Sequence, residues 1–88
     1  MSLQEQFNQA QADVKTLTKR PSDQQLLDLY AYFKQATDGD NDTKKPGMFD
    51  IKGQFKWNAW NDKKGMTTDA AMQAYVDLVT VLLESHKD

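Results

Sequence analysis

Two serines set the outline of this chain. Ser2-x-x-Glu5 and Ser22-x-x-Gln25 both have the capping-box spacing, in which the serine and the residue three positions on satisfy each other's free backbone N–H groups. Each box is followed by apolar residues at helical spacing, and Pro21 stands between the two runs, where it breaks a continuing helix. The N-terminal part of the chain is therefore committed to two separate helices. In the first, Leu3, Phe7, Ala10, Val14 and Leu17 recur at steps of four and three, a single stripe ending near Thr18. Lys15, Lys19 and Arg20 follow at the end where the helix dipole favours cations.

The second run is too rich in apolar residues for one stripe: Leu26, Leu27, Leu29, Tyr30, Tyr32, Phe33 and Ala36 cover more than one face. Such a helix is either buried on two sides or offers a second apolar face to something else. Gly39 suits the left-handed position that closes a helix. The acidic string from Asp38 to Asp42 has the alternation of a calcium loop. Counted from Asp38, however, Thr43 stands where the turn glycine belongs and Phe49 where the bidentate glutamate belongs, so the EF-hand reading fails. A polar loop held by local side-chain-to-backbone bonds fits better.

Asp50 is a candidate cap for a third helix, with Ile51, Phe55, Trp57 and Trp60 as its apolar positions and Gly65 at its end. Thr67, Thr68 and Asp69 cap a fourth, whose buried stripe is Met72, Tyr75, Val76, Val79, Leu82 and Leu83, running to about His86. Four helices without a convincing strand predict an all-α bundle with one longer crossing between the second and third. At 88 residues the chain is a single domain, 1–88, too small to wall off a deep cavity, so function belongs in a groove or on a face.

Composition narrows the function. There is no cysteine and one histidine, His86, near the end of the chain, so a metal site has almost no ligands and no metal or catalytic residue is expected. The carboxylates are distributed as caps and surface groups, with no acid–base pair, and Gly-rich nucleotide motifs are absent. A net charge of −2 argues against a nucleic-acid binder, and no apolar run is long enough to span or stably insert in a membrane. With no signal-peptide pattern at the N-terminus, a soluble, monomeric, cytoplasmic protein is expected.

Two sets of residues carry chemistry. Lys52 and Lys56 stand one turn apart, beside Phe55 and the two tryptophans. Tyr30, Phe33 and Lys34 fall on one sector of the second helix, where rings could stack a purine and the ammonium could pair with a phosphate. The same residues equally describe a solvated lysine stripe and core aromatics with a lysine stem passing over them. A helical protein-interaction domain whose aromatic face docks a partner helix is the competing reading.

The string Tyr30-Ala31-Tyr32-Phe33-Lys34-Gln35-Ala36-Thr37-x-Gly39-Asp40, with Pro46-Gly47-Met48-Phe49-Asp50 and Lys56-Trp57-x-x-Trp60, closely resembles the acyl-CoA-binding protein family, also called the diazepam-binding inhibitor family. Phe7, Val14, Pro21 and Ala71-Met72-x-Ala74-Tyr75 extend the likeness to essentially the whole chain. The resemblance implies an up-down-down-up bundle that carries medium- to long-chain fatty acyl-CoA esters without changing them, with no further cofactor. It also leaves room for transient contact with acyl-CoA-using enzymes or membranes. By position it implies that Tyr30, Ala31, Tyr32, Phe33 and Lys34 meet the adenine and 3′-phosphate. Lys56 would pair with that phosphate, Lys15 and Lys52 would touch the head group, and Tyr75 would close the site. Leu26, Leu27 and Phe55 are candidates for the acyl chain on apolar character alone. Phe33 departs from the tyrosine usual in the family, which keeps ring stacking and removes a hydroxyl.

Overall fold

The computed structural model describes residues 1–85, so His86 lies outside the described residues. It holds four helices: α1 (Leu3–Val14), α2 (Asp23–Asp38), α3 (Ile51–Asn61) and α4 (Thr68–Ser85). Both capping boxes form. Ser2 Oγ accepts from the Glu5 N–H and Ser22 Oγ from the Gln25 N–H, each at 3.1 Å, and both partners reach back to the serine N–H. Asp50 caps α3 through the Gly53 N–H at 3.0 Å, and Thr67 caps α4 through the Ala70 N–H at 3.1 Å.

Two ends fall short of the periodicity. The row of apolar residues predicts a first helix reaching Thr18, whereas α1 stops at Val14 with Lys15 as its C-cap. The Thr16 hydroxyl takes the Asp13 carbonyl at 2.6 Å, and the Lys15 and Thr16 N–H groups bond three residues back instead of four. Competition of a threonine hydroxyl for backbone groups is a general reason for helices to stop. Lys15 thus meets the helix end, while Lys19 and Arg20 lie beyond it, Arg20 pairing with Asp23 at 2.9 Å. Likewise α3 ends at Asn61, and tight turns carry the chain through Gly65, whose φ of 93° only glycine adopts readily.

The bundle is up-down-down-up. The short link of residues 15–22 returns α2 against the direction of α1. Trp60 Nε1 donates to Gly39 O at 2.8 Å, which brings the C-terminal ends of α2 and α3 together and makes them parallel. Gln35, near the end of α2, donates to Met66 O at 3.0 Å just ahead of α4, so α4 runs back antiparallel. Parallel neighbours need a connection as long as the helix itself. The crossing of residues 39–50 supplies it, since α3 is about 16 Å long at 1.5 Å per residue.

The excess of apolar residues on α2 is explained by its neighbours: it packs on α4 with one side and on α3 with the other, while α1 packs on α4. The α1–α2–α4 core is built on Phe7, Leu29, Met72, Tyr75, Val79 and Leu82. At its centre the Phe7 ring meets Tyr75 edge-on at 5.1 Å and stacks with Phe33 at 6.0 Å.

One exposed carboxylate ties the far end together. Asp40 Oδ1 accepts from Gly65 N and from Gln35 Nε2, both at 2.8 Å. These bonds, the Gly65 one foremost, hold the Asp40 carboxyl below the usual carboxylate range. A depressed folded value means that the stabilisation is complete above the unfolded value near pH 4 and is lost as the pH falls through the folded one. Asp40→Asn should therefore lower Tm at neutral pH, and its gap to wild type should close as the pH falls below about 4. Thermal melts across that range measure it; a gap of constant size would place the titration elsewhere.

Candidate functional site

An apolar groove of about 310 Å³ opens between the C-terminal end of α1, the link after it, α2 and α4. Val14 and Pro21 form one wall, Leu26, Leu29, Tyr30 and Phe33 the floor along α2, and Tyr75 the wall from α4. The periodicity of α2 explains the floor, because positions 26, 29, 30 and 33 recur at helical steps of three and four. Such a volume is at the lower limit for ligand pockets, roughly 300–1,000 Å³. It can seat a ring system or a length of chain, and a larger ligand would have to continue over open surface.

Among the described residues no cation lines the groove; cations stand at its rims. Lys15 follows Val14 directly and is exposed. On the α3 side, Lys56 Nζ lies 5.5 Å from the centre of the Tyr30 ring, a cation–π distance. Lys52, one turn earlier on α3, is exposed. Lys34 is engaged otherwise: its ammonium is hydrogen-bonded to Asp38 and sits 4.8 Å over the Trp60 ring. The Asp38 bond raises the Lys34 pKa, and the same bond lowers that of Asp38. Burial pushes the Tyr75 hydroxyl up, so it stays protonated at neutral pH and serves as a hydrogen-bonding wall.

The sequence-predicted residues separate into three groups. Tyr30, Phe33, Tyr75 and Leu26 converge on the groove, with Lys56 and Lys15 at its edges. Ala31 and Tyr32 do not join them. Ala31 has 0% exposure and offers no surface, and Tyr32 turns to a different side, where Lys63 Nζ stands 4.7 Å over its ring. Adjacent residues on a helix are separated by about 100°, so a contiguous motif cannot all face one ligand. Leu27 is half-buried and Phe55 is 57% exposed, both outside the groove lining.

Pro21 and Leu29 are groove residues that sequence reading assigns only to a helix break and to a core. Their wall role depends on where α1 and α4 lie, and nothing in their own spacing signals it. The two tryptophans hold the scaffold. Trp57 Nε1 donates to Thr43 O at 3.1 Å and Trp60 Nε1 to Gly39 O at 2.8 Å, so both indoles clip the crossing segment to α3.

Comparison with known proteins decides the family. A family model described as acyl CoA binding protein matches residues 4–79. The chain belongs to the acyl-CoA-binding protein family. It is 56% identical over 82 residues to the acyl-CoA-binding protein homolog of Drosophila melanogaster, covering 93% of this chain and 95% of the relative. It is 56% identical over 80 residues to acyl-CoA-binding protein homolog 1 of Caenorhabditis elegans, covering 91% and 93%. Its fold superposes on the crystal structure of Oryza sativa acyl-CoA-binding protein 2 with a TM-score of 0.91 at 39% identity, over 96% of this chain and 93% of the other. For the Moniliophthora perniciosa family member the TM-score is 0.90 at 35% identity, over 100% and 86%.

Within this family fold, α3 brings Lys56 to the rim of the groove, and its first turn depends on the Asp50 cap. A β-carbon added at Gly53 would collide with the Asp50 carboxylate. On helix propensity alone, Gly53→Ala should stabilise by about 1 kcal/mol. Here displacing the cap, at about 0.5–2 kcal/mol, should cancel that gain. Urea unfolding should show no net stabilisation, and the full gain would mean that the Asp50 cap contributes nothing.

Proposed function

We propose that this chain binds fatty acyl-CoA esters and carries them without chemical change, as a monomer inside the cell. The observation that carries the reading is the pairing of Lys56 with Tyr30 at the mouth of an apolar, ring-lined groove. A CoA ester has a purine to stack, phosphates to pair with ammonium groups and an alkyl chain to shelter, and all three chemistries meet at this place. Membership of the family supports the same ligand.

In this reading the adenine enters the groove against Tyr30 and Phe33, with Tyr75 as the opposing wall. The 3′-phosphate stays at the rim, where Lys56 and Lys34 reach it, and Lys15 and Lys52 approach the remaining head-group charge. Tyr32 and Ala31 support α2 and leave the ligand to their neighbours. The acyl chain runs out of the groove, past Leu26, over Leu27 and Phe55. A groove whose polar groups are two tyrosine hydroxyls suits holding an ester better than cleaving one.

Calorimetry with palmitoyl-CoA, free CoA and palmitate tests the ligand class. The ester should bind tightest, affinity should rise from eight to sixteen carbons at up to about 0.8 kcal/mol per buried methylene, and the ester should stay intact, with no free CoA released on incubation. Lys56→Ala should weaken the ester about tenfold, as expected for a charge-assisted bond. Equal affinity for ester and palmitate, or a flat chain-length series, would overturn the reading.

The free protein adds a refinement. Lys34 is paired with Asp38, which shares the ammonium that a phosphate would use and also repels that phosphate. Both effects make Asp38 a competitor with the ligand. Exposed pairs of this kind are weak, so Asp38→Asn should tighten acyl-CoA by no more than about fivefold. The gain should vanish with the 3′-dephospho ester, and an equal gain for both ligands would exclude Lys34 as the phosphate partner.

A further inference from the structure

A second groove, of about 170 Å³, opens between α1 and α4 on another side of the pair. Ala10 of α1 and Val76, Val79 and Leu83 of α4 make it apolar, with Gln9, Asp13 and Thr80 beside them. It shares no lining residue with the groove described above. Its volume falls below the roughly 300 Å³ at which small-molecule pockets begin. Such a space suits an anchor side chain from a partner better than a free ligand.

The charge around it is of one sign. α1 and α4 hold five acidic residues, Glu5, Asp13, Asp69, Asp77 and Glu84, and none of the chain's 11 lysines and arginines. Asp13 lines the groove. Glu5 stands four residues before Gln9, and Asp77 and Glu84 stand three before and four after Thr80, so each is one helical turn from a lining residue. Asp13 and Asp77 accept from the side-chain amides of Gln9 and Gln73, both at 2.8 Å, which satisfies an oxygen without cancelling a charge. The two ion pairs among the described residues, Arg20 with Asp23 and Lys34 with Asp38, involve none of the five. Met1 also lines the groove, and its amino group offsets only one of these charges. An apolar groove with an uncancelled acidic rim is complementary to a surface that is apolar at its centre and cationic at its edges.

We propose that this α1–α4 face docks a basic amphipathic helix of a partner protein. Apolar side chains of that helix enter between Ala10, Val76, Val79 and Leu83, and its flanking lysines or arginines meet Asp13, Asp77 and Glu84. The occupant is helical because α1 and α4 offer it side chains rather than free backbone groups, so its own backbone must be satisfied internally. The ligand groove has a separate lining, so both sites can be filled at once. Delivery of acyl-CoA to the partner rests on the function proposed above; the docking itself does not.

The probe is a synthetic helix of about 14 residues with leucine on one face and lysine on the other, titrated into the isotope-labelled full chain. Amide chemical shifts should change most at Gln9, Asp13, Val76 and Thr80, and affinity measured by calorimetry should fall as salt rises. A scrambled peptide of the same composition, and a helix with glutamate in place of lysine, should each bind at least about tenfold more weakly. Asp77→Lys with Glu84→Lys should weaken the leucine–lysine helix about tenfold, and Thr80→Arg should act in the same direction. None of these residues lines the ligand groove, so helical circular dichroism and acyl-CoA affinity should match wild type. No binding of the leucine–lysine helix, shifts centred on Tyr30 and Phe33, equal affinity for the scrambled peptide, or unchanged affinity in both variants would overturn the proposal. So would concentration-dependent shifts of the same amides without peptide, if Lys44→Glu with Lys45→Glu removed them, since the face would then receive a second copy of the chain. Peptide binding without acyl-CoA binding would leave the docking standing and remove the carrier function; the reverse result would do the opposite.

Discussion

The arrangement turns on one carboxylate oxygen. Asp40 Oδ1 takes a bond from Gln35 near the end of α2 and another from Gly65 ahead of α4. Gln35 in turn reaches the Met66 carbonyl, so a buried amide and an exposed acid fix the distance between the end of α2 and the start of α4. The directionality of these bonds matters more than their strength. Apolar packing alone would let α2 slide along α4, because dispersion and burial hardly distinguish neighbouring registers.

From that junction the crossing segment departs, and its path decides where the third helix lies. Gly39 leaves α2 with a φ of 80°, which exposes its carbonyl to the Trp60 indole, and Asn41 is buried with its side chain bonded to Thr43 and Trp57. The acidic run between Asp38 and Asp42 thus has a structural use for its polar atoms. No group of acidic or histidine side chains among the described residues is arranged to hold a metal. With the segment clipped down, α3 lies parallel to α2, and Lys56 reaches the Tyr30 ring.

The second helix serves both halves of the molecule. Its Leu29 and Ala36 complete the core with α1 and α4, while Tyr30 and Lys34 meet Lys56 and Trp60 on the α3 side. Phe33 belongs to both, packed against Phe7 and still exposed to the groove. Core packing and groove exposure are therefore not alternatives for this ring, whose one side meets Phe7 and whose other side faces the groove.

The sequence by itself determined the helices, their starting caps and their stripes, because those depend on interactions within a few residues: Ser2 with Glu5, Ser22 with Gln25, Asp50 with Gly53. It also pointed, through periodicity and family likeness, to Tyr30, Phe33 and the lysines as the chemically interesting set. The contiguous motif also includes Ala31 and Tyr32, which the helix turns away from the groove. The end of α1 escaped because the Thr16 hydroxyl competes for a carbonyl that the apolar stripe cannot reveal. Only the tertiary structure decided that Pro21 and Leu29 are walls, that the Lys34 ammonium sits over the Trp60 ring, and that Phe49 faces water. Each of these depends on contacts, or their absence, with elements distant in the chain. A one-dimensional pattern records which side chains are apolar or charged; it does not record which of them the fold leaves uncovered.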